Sequence, residues 1–523
     1  MTYKVLITTS GIGSRLGELT KYTNKALVRI GKKPALSYII ENYPKSTPLV
    51  ITVGYYANQV EEFCKLAYPD RDITFVTVDK YEGPGTSLAY SMLQAKNELQ
   101  CPFIFHAADT IIDEELPNPE TDNWVAGYKL DDSSQYASFV TQKENVTEFL
   151  KKGASDYDYI HIGLVGISDF STFWKSLESV YKNNPEDSSL NDISGIEDMI
   201  SKGAKFKYKS INKWYDIGNI KALNKARDEF PDKFEILEKI DETLFIFDDK
   251  VIKFFYDKKI VSGRLKRAKI LGNLVPKIID AGEHFYSYEF IEGDVLAEFI
   301  DTQVFKKYLH WLQKNLFVDI DYKENGKFVD VCDKFYRIKT NERIIKFYEK
   351  HKFKDETDVI NGIYTPPLKN ILSKIDFSGW LNQGVPIKFH GDLHFENTLI
   401  TKDSFLLLDW RQNFGGLFDC GDLYYDLAKL YHGMIVNHGI VKKDLYTIEN
   451  TSNGVKCDIL RPQQLVECEK IYLDFLEENN YDIKKVKVLT ALIYLNIAPL
   501  HHHPYDKFLY YFGKLMLYEN LEK

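Results

Sequence analysis

One change of pattern divides this chain and limits what it can fold into. Up to about residue 230, short apolar runs alternate with amphipathic stretches of helical spacing, the order that builds a sheet with helices on its faces. Lys4 to Thr9, Pro48 to Val53, Ile73 to Val78 and Phe103 to His106 read as strands. Ala35 to Tyr43, Asn58 to Ala67 and Ser87 to Glu98 read as helices between them. A charged helix from about Ile220 to Glu238 then leads into a different order. Thr243 to Phe247 and Lys250 to Phe255 predict a hairpin turning at Asp248-Asp249, and Tyr286 to Ile291 predicts another strand. From about Asp301 the chain is mostly helical and rich in Phe and Tyr, with strands again only near Ile387 to Phe389 and Phe405 to Leu408. The 523 residues exceed what one core usually supports. The expectation is an α/β domain over 1–232 and a second, α+β domain over 240–523, a small sheet lobe followed by a helical lobe.

The first strand runs into Ser10-Gly11-Ile12-Gly13-Ser14-Arg15-Leu16-Gly17. Glycines there let the backbone curl around an anion, and the N–H groups of a following helix start can bind phosphate oxygens. A dinucleotide fingerprint would need its third glycine at position 16, which is Leu. Arg15 and Lys25 add two cations, which suit a triphosphate attacked at its α-phosphorus. Asp109, at the end of a strand, and Asp216, in Trp214-Tyr215-Asp216-Ile217-Gly218, are carboxylates from distant segments that could share a magnesium ion. Each alone would read as a turn or cap residue.

These segments resemble the sugar-phosphate nucleotidyltransferases, whose start reads G-x-G-x-R-[LM] followed by Pro-Lys. The chain keeps Gly11, Gly13, Arg15, Leu16 and Lys25, with Asn24 in place of the proline. Val53-Gly54-Tyr55, Gln59-Val60 and Gly85-Thr86-Ser87-Leu88 resemble further family segments, and Ala108-Asp109 stands where the family has Gly-Asp. The resemblance implies a Rossmann-like domain that binds an NTP through Gly11, Gly13 and Gly85. It implies Mg²⁺ on Asp109 and Asp216, and Arg15 and Lys25 as catalytic cations. Lys151 or Lys152 would match a second lysine that faces the sugar phosphate.

Near the other end lies His390-Gly391-Asp392-Leu393-His394-Phe395-Glu396-Asn397, followed by Leu408-Asp409-Trp410. Phosphoryl transfer to an alcohol needs a carboxylate to orient the hydroxyl and accept its proton, and oxygen ligands for the metal ions on ATP. Asp392 suits the base, and Asn397 and Asp409 suit the ligands. His390 suits a loop-orienting role. The pattern resembles the aminoglycoside phosphotransferase/choline kinase superfamily, and with it a bilobal protein-kinase-like fold. That resemblance implies Lys253 on the ATP phosphates, Glu289 in the segment holding adenine, and Asp426 tying the catalytic loop. No glycine-rich loop precedes Lys253, and no glutamate partner for it is evident.

Arg411 and Gln412 either line an acceptor pocket or cap a strand end. Trp380, Trp410, Tyr424, Tyr425 and Tyr431 are either a cage for a quaternary amine or core packing. His501-His502-His503 lies in a helical region, where adjacent side chains cannot all face one ion.

A formal net charge of -9 gives no basic face for nucleic acid. Six cysteines without metal-ligand spacing fit a reducing compartment, and with no apolar run long enough to span a bilayer the expected location is cytoplasmic. The expectation is a bifunctional enzyme. ATP would phosphorylate a small alcohol, amino alcohol or sugar, and a second NTP (CTP, UTP or GTP) would donate a nucleotidyl group to that phosphate, yielding a precursor for surface polysaccharide or head-group decoration. The alternatives are one activity with the other domain regulatory, or an aminoglycoside-type phosphotransferase.

Overall fold

The computed structural model describes residues 3–230 and 239–522. Contacts gather the chain into two compact units, Met1–Lys258 with Ile279–Phe290, and Lys259–Ile278 with Ile291–Lys523.

The first unit is built on a nine-stranded sheet. Ile73–Thr77, Leu49–Val53, Lys4–Thr8 and Phe103–Ala107 lie side by side and run parallel. Val5, Leu6 and Ile7 are fully buried, as expected of a parallel strand covered on both faces. This half has the layout expected from the alternating pattern. Beyond it, Tyr159–Ile167 runs antiparallel to Phe103–Ala107, and the sheet continues as a mixed array through Trp124–Tyr128 to Ser138–Gln142. The unit is therefore mixed α/β. The two halves meet where the turn Ala108-Asp109 leaves the central sheet.

The predicted hairpin is present as Glu242–Ile246 and Lys250–Phe255, paired antiparallel with Phe245 opposite Ile252. With Phe285–Glu289 and Ile278–Ala281 it forms a four-stranded sheet. Its apolar face does not stand alone. Phe245, Phe247, Ile252, Phe254 and Phe285 belong to the same buried cluster as Val60, Phe63 and Cys64 of the helix Ala57–Ala67. The Phe63 ring lies 5.3 Å from Phe245 and 6.2 Å from Phe285. Polar bonds fix the same contact: Glu62 Oε2 accepts from His284 N at 2.9 Å, and Lys250 Nζ donates to the Leu66 carbonyl at 3.0 Å. Of the charged helix expected from about Ile220 to Glu238, Ile220–Glu229 is helical and residues 231–238 lie outside the described residues.

The second unit is mainly helical. Leu423–Ile435 and Ile483–Ile497 are buried on nearly every face, which makes them its central helices. Asn325–Asp333 continues through a π-helical turn, Lys334–Ile338, into Lys339–His351. The expected strand near Ile387 to Phe389 shortens to Pro386–Ile387, because Phe389 takes a left-handed conformation at φ 56°. Strands are also more numerous than expected. Ile363–Thr365, Asp358–Ile360, Gly454–Ile459 and Tyr446–Thr451 form a further sheet in that order. Two of these strands are only three residues long, and the other pair is largely exposed, so neither leaves a strong periodic signal. The three adjacent histidines follow a short 3₁₀ turn and precede the helix Tyr505–Glu522 rather than lying on a helix. Among the described residues no helix is long and apolar enough to cross a membrane.

Candidate functional site

In the first unit, sequence-distant residues converge because two short strands pair. Thr110–Ile112 and Trp214–Asp216 run antiparallel with Asp216 opposite Thr110, and Ile217 N donates to the Asp109 carbonyl at 3.1 Å. That pairing brings both carboxylates to Gly218. A Cβ added there would stand 3.1 Å from Asp216 Oδ1, 3.3 Å from Asp109 Oδ2 and 3.2 Å from the Arg15 guanidinium. Lys25 Nζ lies 3.4 Å and Arg15 Nη2 3.6 Å from Asp109 Oδ2. Lys25, with help from Arg15, holds the Asp109 carboxyl below its ordinary range against the effect of burial. Asp216 accepts from Tyr136 Oη at 2.7 Å and from Gly218 N at 2.8 Å. Gly13, Arg15, Lys25, Asp109 and Gly218 line a cavity of about 190 Å³. Two carboxylates beside two cations, around a space that any side chain at 218 would fill, match the donor chemistry of a magnesium-bound phosphate.

The loop is held from below. Asn24 is fully buried. Its side chain donates to the carbonyls of Thr9 (2.9 Å) and Tyr55 (2.6 Å) and accepts from Ala26 N (2.9 Å). The residue that departs from the family's proline thus ties the strand end to the segment carrying Lys25. Gly13 has φ 73°, and a Cβ there would come within 2.8 Å of Lys25 Cβ, so only glycine lets the loop close on the lysine. No side chain crowds Gly11 within 4 Å. Gly85 (φ 81°) lies in the turn before Ser87, which caps the helix Leu88–Gln94. Sequence reasoning missed His106, fully buried beneath the Asp109 turn: its Nε2 donates to the Thr110 carbonyl at 2.9 Å while Nδ1 accepts from Tyr43 Oη at 2.7 Å. Burial drives its pKa down to about 4, so it serves as a neutral strut. Lys151 and Lys152 are exposed beyond the strand Asn145–Leu150.

Lys253 and Glu289 also lie in the first unit, on neighbouring strands of the small sheet. Lys253 is buried on the hairpin, and Glu289 ends its strand exposed.

The second unit brings Asp392, Asn397 and Asp409 onto one pair of loops. Asn397 Nδ2 donates to the Asp392 carbonyl at 2.9 Å, and Leu408 N donates to the Asn397 carbonyl at 2.8 Å. The Asp392 side chain stays 39% exposed. Lys429 Nζ lies 2.8 Å from its Oδ1 and His394 Nε2 3.6 Å from its Oδ2. Burial opposes the charge of Asp392, but Lys429 and His394 win and hold it well below the ordinary range. Burial also opposes the charge of His394, yet Asp392 and Glu396 lift its pKa to about 9. His390 is bonded within the loop. Its Nε2 donates to the Leu408 carbonyl at 2.8 Å, and burial lowers its pKa to about 3.

The loop is strained and clamped. Phe389, Gly391 and Asp409 all have positive φ, a conformation that costs a non-glycine residue about 1–3 kcal/mol. Asp426, fully buried, accepts from His390 N and Gly391 N at 2.6 Å each. Two arginines on the helix Lys258–Leu271 complete the clamp. Arg264 pairs with Asp409 Oδ1 at 3.0 Å, and Arg267 donates to the carbonyls of Phe418, Lys388 and Phe389. Neither arginine was singled out from sequence, nor was Lys429. Their signal was a basic residue on an otherwise buried helix face. Asp409 and Asn397 offer carboxylate and amide oxygens, the donor type that a hard cation takes, and Arg264 is the cation paired with Asp409 in this structure.

The aromatic residues considered as a cage are engaged separately. Trp410 Nε1 donates to the Arg264 carbonyl, Trp380 Nε1 to Asp482, and Tyr431 Oη to Glu469. Tyr425 packs on Phe335, ring centroids 4.9 Å apart.

A family model described as nucleotidyl transferase matches residues 4–233. The choline-phosphate cytidylyltransferase of Streptococcus pneumoniae is 28% identical over 136 residues, 25% of this chain. The match spans 57% of that relative's length. Among solved structures, a CTP:phosphocholine cytidylyltransferase from Streptococcus pneumoniae covers 44% of this chain and 100% of its own, with 22% identity and a TM-score of 0.39. The inositol-1-phosphate CTP transferase from T. maritima covers 45% and 98%, with 14% identity and a TM-score of 0.36. The N-terminal domain is of the nucleotidyltransferase type.

Proposed function

We propose that this chain is a bifunctional enzyme: its first unit transfers a nucleotidyl group from an NTP to a phosphorylated small molecule, and its second unit transfers the γ-phosphoryl group of ATP to an alcohol. The observation that carries the first half is the convergence of Asp109, Asp216, Arg15 and Lys25 on the open side of Gly218. The family match over residues 4–233 supports it.

In the first reaction a phosphate oxygen of the substrate attacks the α-phosphorus, the α–β bridging bond breaks, and pyrophosphate leaves. The loop Gly11–Gly13 turns backbone N–H groups toward the triphosphate, and Arg15 and Lys25 offset charge that grows on its oxygens in the transition state. Asp109 and Asp216 would hold Mg²⁺, which neutralises the phosphates when bound. Asn24 and His106 keep Lys25 and Asp109 in place. The similarity to a choline-phosphate cytidylyltransferase makes CTP the first nucleotide to try.

In the second reaction Asp392 orients the acceptor hydroxyl and takes its proton. The oxygen bonds to the γ-phosphorus, the β–γ bridging bond breaks, and ADP leaves. Asn397 and Asp409 would hold the metal ions of the nucleotide. Lys429, 2.8 Å from Asp392, keeps the base ionised.

Mass spectrometry of the purified chain with Mg²⁺, ATP, all four NTPs and a panel of alcohols tests this reading. A nucleoside-diphosphate-linked product that requires both ATP and one further NTP is the expected result. Phosphorylated acceptor with no nucleotidyl product from any NTP would refute the role of the first unit.

A further inference from the structure

We propose that the alcohol whose hydroxyl meets Asp392 itself carries an anion, a carboxylate or a phosphate. The inference rests on Asp392 being the base of the second unit. It starts from the π-helical turn Lys334–Ile338, an insertion that often marks a functional site. That turn sets Phe335 inward and starts the helix Lys339–His351 with Lys339. Two cations occupy the ring of Phe335: Lys339 Nζ is 4.0 Å and the Arg411 guanidinium 5.2 Å from its centroid. Arg411 belongs to the catalytic loop region. Its N donates to the His390 carbonyl at 2.9 Å, and its Cβ lies 2.6 Å from where a Cβ on Gly391 would stand. Arg343 follows one turn after Lys339 on the same helix face.

Arg411, Arg343 and Lys429 are each close enough to Lys339 to oppose its charge. Burial and these three neighbours pull the Lys339 ammonium down to about 7, and Asp392 is the carboxylate that opposes them. Among the described residues, Lys339, Arg343 and Arg411 make no ion pair with a carboxylate, whereas Lys429 has Asp392. A pocket for a quaternary amine would present bare aromatic faces. Here the ring face next to the base already carries cations, so a cationic alcohol would be repelled. An anionic group on the acceptor relieves the repulsion and gains charge-assisted hydrogen bonds, while its hydroxyl reaches Asp392. The proton of that hydroxyl passes to Asp392, the oxygen takes the γ-phosphoryl group of ATP, and ADP departs.

The test uses the full chain with MgATP and size-matched acceptors: glycerate and glycerol 3-phosphate against glycerol, ethanolamine and choline. Phosphorylated product and ADP are both measured, with Asp392→Asn as the blank. The expected result is Asp392-dependent transfer to an anionic acceptor, with kcat/KM at least about tenfold above the neutral and cationic ones. Lys339→Met and Arg411→Met should each raise KM for that acceptor by on the order of tenfold and leave KM for ATP unchanged. Preference for choline or ethanolamine would overturn the inference while the kinase reading stood. So would variants that raise KM for ATP and slow every acceptor alike, because the cations would then serve the nucleotide. A panel with no Asp392-dependent transfer would remove the kinase reading and this inference together.

Discussion

Two residues carry sharp tests at the level of single side chains. Gly218 has no positive φ to protect, so its lack of a side chain matters for space alone. Gly218→Ala would put a methyl group within 3.3 Å of Asp109, Asp216 and Arg15. We expect nucleotidyl transfer to fall by roughly tenfold or more, since a displacement near 1 Å at such a site costs that much. The melting temperature should move by no more than about 3 °C. Asp426 is the opposite case, because it works on the backbone. Asp426→Ala orphans the buried N–H groups of His390 and Gly391, at about 1–3 kcal/mol for each donor. Urea unfolding should show that loss, and phosphoryl transfer should fall with it because the strained loop is no longer held. Asn24 shows what motif matching misses at this scale. It stands where the family pattern has proline, and its three hydrogen bonds make it the residue that seats Lys25.

At the level of elements, the first four parallel strands and the hairpin were legible because their apolar runs are long and clearly bounded. Val5 to Ile7 and Val251 to Phe255 are buried along almost their whole length. The destination of the hairpin was not legible. Nothing local in Phe245, Phe247 or Phe285 says that these rings will meet Phe63, far earlier in the chain. The short strands Asp358–Ile360 and Ile363–Thr365 were illegible for a different reason: they pair with each other over only three residues, and Asp358–Ile360 alone also meets Gly454–Ile459, far along the chain. The candidate residues Asp109, Asp216, Asp392, Asn397 and Asp409 could be named from spacing. Of the groups that hold them, Arg264, Arg267 and Lys429 could not, because each acts through a contact distant in sequence; His106 bonds Thr110 close by, but its fixing by Tyr43 is just as distant. The junction between the Ala57–Ala67 helix and the small sheet gives a prediction at this scale. Phe63→Ala should destabilise the first unit by about 3–5 kcal/mol, seen as a lower denaturant midpoint. A loss below about 1 kcal/mol would mean that the small sheet contributes little to that core.

For the whole molecule, the proposed pair of activities gives a reason for joining a nucleotidyltransferase-type domain to a mainly helical unit: the phosphate ester that the second unit is proposed to make is the class of substrate that the first is proposed to use. The account requires the two sites to fail separately. Asp109→Asn and Asp392→Asn, each in the full chain, supply that test when mass spectrometry follows the acceptor, its phosphate and the nucleotidyl product in the presence of ATP and the four NTPs. Asp109→Asn should accumulate the phosphorylated acceptor and stop there. Asp392→Asn should leave the acceptor untouched but still convert its phosphate when that compound is supplied. Both variants turning over like the parent chain, or both losing the same single step, would contradict the account.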